Sequence, residues 1–106
     1  MPSKRQSAGR QRMSDVVPTG NPWTDIALSN IDTVLNQDFL LNEIAWRHGS
    51  RGEFVYLMLT DEKTGEQIVT RTGGKVVVDK LHQWEAKDSP EITVQLVQPG
   101  DYYDII

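Results

Sequence analysis

The chain has 106 residues, a formal net charge of −4 and no cysteine, with 38% apolar and 25% charged residues. This length allows one small domain, and the absence of cysteine excludes disulfides, thiolate metal sites and a cysteine nucleophile. The longest apolar runs, Phe54–Leu59 and Val76–Val78, are far shorter than the roughly 20 residues that span a bilayer. The N-terminus lacks the apolar stretch of a secretory signal, so we expect a cytoplasmic protein with no membrane contact.

Charge is unevenly distributed along the chain. Residues 1–12 carry +4 with no acidic residue, which leaves −8 on the remaining residues. Residues 1–22 are polar and have no hydrophobic period, so we predict a disordered basic arm there and one domain over residues 23–106. An acidic body argues against general duplex binding, because affinity for nucleic acid depends mainly on Lys and Arg. Any nucleic-acid site must therefore be a local patch.

The first part of the domain predicts a β-hairpin. Residues 23–37 indicate an irregular segment or short strand and then one helical turn near 32–36. Residues 38–47 and 52–60 are apolar and β-branched runs joined by a polar, glycine-containing loop, which is typical of a hairpin. The second run alternates two apolar sets, which are Val55, Leu57 and Leu59 on one face and Phe54, Tyr56 and Met58 on the other. The second face therefore needs a partner.

The rest of the chain predicts a turn over 61–65, a third strand over 66–72, a helix over 75–87, and strands over 91–98 and 102–106. Gly65 supplies the positive φ that such a turn needs. Three strands, one helix and two strands form the element order of a mostly-β, five-stranded OB-fold, a Greek-key barrel with its helix between strands 3 and 4. An SH3-like barrel is the alternative, but such barrels usually lack a full helix at that place.

Three aromatic residues are candidates for a binding face. Phe54 and Tyr56 share one face of the second strand, and Trp46 lies near the end of the first. Together they would line the outer face on which OB-folds hold oligonucleotides, where each base stacked on an aromatic ring contributes about 1–3 kcal/mol. The alternative is that one or two of them are core residues or pack against the segment that precedes the hairpin.

Four basic residues are candidates for phosphate contacts. Arg47 and Arg51 lie in a loop region without acidic residues, Arg71 lies on the third strand, and Lys75 follows the Gly73–Gly74 pair. They predict a positive groove that tracks a phosphate backbone. The alternative is a solvated surface loop with no partner.

Residues for catalysis or metal binding are not evident. Thr72–Lys75 precede a helix but do not form a Walker motif, because Val69 and Val76 stand where glycine and Ser/Thr are required. The two histidines are isolated in sequence, and no nucleophile elbow is present. We therefore expect no enzyme, no catalytic residue, no metal and no cofactor. The last six residues are either a barrel strand or a tail offered to partner proteins.

The order of several short motifs resembles that of the small OB-fold single-stranded DNA-binding proteins of bacteriophages. The matching segments are Gly52–Leu57, Thr72–Gly74, Val76–Leu81, Pro90–Leu96 and Tyr102–Tyr103. The resemblance implies sequence-tolerant coating of single-stranded DNA during replication or recombination, in the host cytoplasm if the protein is viral, with replication or recombination proteins as further partners. The binding residues that it implies are Trp46, Arg47, Arg51, Phe54, Tyr56, Arg71 and Lys75.

A second hypothesis comes from a different class of function. The charge of −8 on the body favours a protein-interaction module, a small β-barrel of a phage or plasmid assembly whose exposed aromatic face contacts another protein or a second copy of itself.

Overall fold

The computed structural model describes residues 20–106, and these residues form a mostly-β domain with one α-helix. A short 3₁₀-helix over Ile31–Thr33 precedes the first strand, near the predicted helical turn. The elements in chain order are β1 (Phe39–Gly49), β2 (Gly52–Asp61), β3 (Gln67–Thr72), α1 (Lys75–Ala86), β4 (Thr93–Val94), β5 (Leu96–Val97) and β6 (Asp104–Ile105). The predicted hairpin, third strand and helix between strands 3 and 4 are confirmed. Residues 1–19 of the predicted arm over residues 1–22 lie outside the described part of the chain.

The hairpin of β1 and β2 is longer and its loop shorter than predicted. Antiparallel pairing continues to Gly49 and Gly52, which leaves only Ser50 and Arg51 between the strands. Gly52 has a φ of +112°, and Gly65 in the next turn has a φ of +76°, as predicted. A tight connection of this kind requires backbone conformations that glycine adopts without a steric penalty.

The strands form two sheets rather than the single five-stranded barrel predicted. Four antiparallel strands in the order β3-β2-β1-β4 curl into a half-barrel, and β5 pairs with β6 in a second sheet. The predicted strand over 91–98 is divided because the chain changes partner at Gln95: β4 pairs with β1, whereas Gln95 exchanges two 2.9 Å backbone hydrogen bonds with Ile106. The last strand contains only two residues, not the five predicted.

One face of the four-stranded sheet, here the inner face, packs against α1 and the second sheet. The residues Val77, Val78 and Leu81 of α1 are buried in this core. Its buried members are Val34, Phe39, Leu41, Val55, Leu57, Leu59, Val77, Val78, Leu81, Val94, Leu96 and Ile105. Because both sheets contribute to it, the core joins them although they share no strand.

The opposite, outer face of the sheet is covered in part by residues 20–29, here called the strap. Trp23 and Ile26 pack on a second cluster, whose buried members are Tyr56, Met58 and Val69. The backbone N–H of Ser29 donates to the carbonyl of Val69 at 2.7 Å along the edge of β3. The prediction that the second apolar face of β2 has a partner is therefore confirmed, and that partner is the strap.

Helices long and apolar enough to cross a membrane do not occur within residues 20–106.

Candidate functional site

Three adjoining cavities lie around the hairpin end and the edge of β3. The first, of about 450 Å³, is lined by residues 49–54 and Gly73. The second, of about 290 Å³, is lined by Phe54, Arg71, Thr72 and Gly73, and the third, of about 320 Å³, by residues 28–31 and Arg71. The first and second cavities share Phe54 and Gly73, and the second and third share Arg71. Together they form one surface depression, here called the trough.

Phe54 lies at the centre of the trough, half-buried and flanked by glycine backbone. A Cβ added to Gly49 would lie 3.2 Å from Cε1 of Phe54, and one added to Gly73 would lie 3.4 Å from its Cβ. The ring also meets Tyr56 edge-on, with centroids 5.7 Å apart and an interplanar angle of 61°. Close contacts on these sides restrict the ring, so its exposed part has a preset orientation toward the trough.

Arg51 and Arg71 lie on either side of Phe54 among the residues that line the trough, and both are exposed. Arg71 is paired with Tyr56 across β2 and β3, so its side chain projects from the outer face. Within residues 20–106, neither guanidinium forms an ion pair or a side-chain hydrogen bond. Because both side chains are exposed, an anion in the trough could reach them.

The trough carries a positive charge on an acidic body. Glu53 is the only acidic residue among those that line the three cavities. Its Oε1 lies 2.8 Å from Nε2 of His82 on α1. The carboxylate is thus directed to the helix and away from the two arginines.

Trp46 does not lie with Phe54 and Tyr56. It is paired with Val55, so its side chain is on the inner face. There the indole stacks on the imidazole of His82, with centroids 3.9 Å apart and an angle of 6°. Its Nε1 donates to Oε1 of Glu85 at 2.6 Å. The ring connects β1 to α1 and offers no platform beside Phe54.

The other three predicted residues occupy different surroundings. Tyr56 is only 3% exposed, beneath the strap. Arg47 is paired with Phe54 and shares its face, but its Nε donates to the carbonyl of Gly20 at 3.1 Å. Lys75 begins α1, contacts Asp79 at 3.0 Å and is not among the lining residues of the three cavities. The trough therefore unites Phe54, Arg51 and Arg71, with Arg47 next to it.

Backbone and glycine contribute to this site in a way that the sequence motifs did not predict. Residues 28–31 form one wall of the trough beside Arg71, and Gly49 and Gly73 flank the ring of Phe54. The available signal was the occurrence of glycine at both ends of the first loop and directly after β3.

Two groups with shifted pKa values lie outside the trough. A hydrogen bond from Lys80 to Asp104, 2.8 Å long, holds the pKa of that carboxyl below its usual value. The hydrogen bond that Tyr103 donates to Asp32 raises the pKa of the phenol. Across residues 20–106, no three His, Asp or Glu side chains are grouped so that they could hold a metal ion. The partly exposed ring of Phe54 and the exposed guanidinium groups of Arg51 and Arg71 give the trough groups that can stack on a planar ring and bind an anion.

In comparisons with known proteins, no family model, no curated protein and no solved structure matches this chain.

Proposed function

We propose that this protein binds single-stranded DNA without sequence preference, through the trough around Phe54, during replication or recombination. The observation that carries the proposal is a restrained, partly exposed aromatic ring between two exposed arginines. Stacking on an aromatic ring tolerates any base, and flanking guanidinium groups neutralise phosphates. This combination suits a flexible, unpaired strand whose bases are free to stack.

The topology supports a fold related to the OB-fold. The strand order β3-β2-β1-β4, with a helix between β3 and β4, is compatible with the first four strands of an OB-fold, whose helix lies between its third and fourth strands. OB-folds bind oligonucleotides on the face of strands 2 and 3 and with the loop between strands 1 and 2. Here the trough includes residues of β2, β3 and the β1–β2 loop. The resemblance to the single-stranded DNA-binding proteins of bacteriophages is consistent with this location.

The first test is a titration of fluorescein-labelled oligothymidine with the full chain at low salt, followed by anisotropy. We expect saturable binding of the single strand and weaker binding of a duplex of equal length. Because stacking contributes about 1–3 kcal/mol per base, Phe54→Leu should weaken binding about 5-fold to 150-fold. Phe54→Trp keeps an aromatic ring and should bind oligothymidine about as tightly as the wild type. Equal affinities of the wild type and Phe54→Leu would show that the trough is not the binding site.

A protein-interaction module is the second candidate, because the body charge of −8 repels nucleic acid outside the trough. An apolar cavity of about 270 Å³ between α1 and the last residues, lined by Leu81, Trp84 and Ile106 among others, offers a contact surface for a protein. Size-exclusion chromatography with light scattering discriminates the two functions. A discrete oligomer that persists in excess oligonucleotide, without any anisotropy change, would favour this candidate.

A further inference from the structure

The strap occupies outer-face surface directly beside the trough. Trp23 and Ile26 lie on the cluster of Tyr56, Met58 and Val69 and leave Tyr56 only 3% exposed. Tyr56 is the nearest aromatic neighbour of Phe54, with 5.7 Å between ring centroids. A single DNA strand that stacked a base on Phe54 and continued along β2 would therefore contact the strap before it reached Tyr56.

Among residues 20–106, few polar interactions attach the strap to the sheet. Ser29 donates one backbone hydrogen bond to Val69 at 2.7 Å, and Gly20 accepts one bond from Arg47 at 3.1 Å. The side chains that pack on the sheet are half-buried, and Thr24, Asp25 and Ala27 are exposed. Segments with few buried contacts open locally at a lower free energy than the whole domain unfolds.

Arg47 connects the strap to the proposed binding surface. Its Nε donates to the carbonyl of Gly20 and its Nη1 to the carbonyl of Trp46 at 2.9 Å. It also shares the outer face with Phe54, its partner across the hairpin. A phosphate carries negative charge and commonly takes two parallel hydrogen bonds from one guanidinium, whereas the carbonyl of Gly20 is neutral and takes one bond from Arg47. A phosphate beside Phe54 would therefore compete with Gly20 for Arg47.

We propose that residues 20–29 are a displaceable strap that competes with single-stranded DNA for the outer face. Its release frees Arg47 and uncovers Tyr56 as a second stacking ring beside Phe54. This inference rests on the proposed function and names the regulation of the same site. Because only the open form offers both rings, the apparent affinity is lowered by the fraction of molecules in which the strap is closed.

Hydrogen exchange of the unmodified full chain tests the proposal without any substitution. The backbone amide of Ser29 donates to the carbonyl of Val69 on β3, and this bond from the strap to the sheet exists only while the strap is closed. In the complex saturated with oligothymidine, we expect the amide of Ser29 to exchange faster by about tenfold or more, because local opening governs its exchange. The amide of Leu57 in the centre of β2 serves as the control and should not accelerate.

A substitution provides the second readout. Trp23→Ala removes the largest side chain that holds the strap closed and should tighten oligothymidine binding by about fivefold to tenfold. Thr24→Ala, at an exposed strap position, is the matched control and should bind as the wild type does. Circular dichroism establishes that both variants are folded, and if Trp23→Ala does not fold, the exchange experiment decides.

The outcomes separate this inference from the proposed function. Saturable binding by the wild type, with unchanged or slower exchange of the Ser29 amide, would overturn the displaceable strap and leave the trough as the site. Unchanged or weaker binding by a folded Trp23→Ala variant would likewise overturn it, with a weaker affinity identifying the strap as part of the binding surface. Failure of the wild type to bind oligothymidine would overturn both.

Discussion

Replacement of Trp46 by alanine should reduce stability and leave DNA affinity unchanged. Substitution of a fully buried Trp by Ala lowers the free energy of unfolding by about 3–5 kcal/mol, so at the half-buried Trp46 we expect a loss of about 2 kcal/mol. Part of this loss is the stack on His82, worth about 0.5–1.5 kcal/mol, and part is the exposed hydrogen bond to Glu85, worth about 0.5–1 kcal/mol. For a domain of this size, Tm should fall by about 8–16 °C.

The assay for Trp46 combines urea unfolding, followed by circular dichroism, with oligothymidine titration under conditions in which each variant is folded. Trp46→Phe keeps a ring against His82 but loses the hydrogen bond, so it should cost about 0.5–1 kcal/mol. A double-mutant cycle with His82→Ala should give a coupling of about 0.5–1.5 kcal/mol. A Trp46→Ala variant with wild-type stability and greatly reduced affinity would refute the inner-face position of this ring.

Two further predictions concern pH dependence. Lys80 holds the pKa of Asp104 below its usual value. The pair therefore stabilises the fold above that usual pKa, and this stabilisation is lost as pH falls through the lowered pKa. Lys80→Met should lower the free energy of unfolding by about 0.5–1 kcal/mol at neutral pH and make the urea midpoint less dependent on acid pH. The bond to Asp32 raises the pKa of Tyr103, so its stabilisation is present below the usual tyrosine pKa and disappears as pH rises through the raised one. Tyr103→Phe should therefore flatten the alkaline limb of the stability profile, and an unaltered limb would contradict this assignment.

Local sequence signals predicted the hairpin, the helix and the need for a second partner on β2. The glycine at position 65 has the positive φ inferred from its place in the turn. The apolar residues on both faces of β2 indicated two packing layers, and the strap supplies the second one. These features depend on alternation and turn chemistry within a few residues, which a sequence displays directly.

The side of the sheet on which Trp46 lies could not be predicted, because a bulge changes the alternation of β1. Pairing with β2 shifts between Leu41 and Glu43, so Leu41 and Trp46 both face inward although one position is odd and the other even. A β-bulge inserts one residue and reverses the face of all that follow. The sequence of β1 carries no marker for that extra residue.

Long-range pairing also limited the prediction of the sheets. The alternation over 91–98 indicated one strand, but hydrogen bonding transfers from β1 to the C-terminal residues at Gln95. The edge of β3 bonds to Ser29 of the strap. Which of two sequence-distant segments a strand pairs with depends on how the complete domain packs. Hydrophobic periodicity within one segment does not encode that pairing.

The salt dependence of oligothymidine affinity tests most directly whether Arg51 and Arg71 act together at the trough. Each phosphate contact with a single strand contributes about 0.7 to the slope of log affinity against log salt. The double variant Arg51→Met, Arg71→Met should therefore reduce the magnitude of the slope by about 1.4. A control with the same change in charge, Lys63→Met, Lys87→Met, alters exposed residues that do not line the trough and should leave the slope nearly unchanged. Equal slopes for the two double variants would contradict a phosphate-binding trough around Phe54.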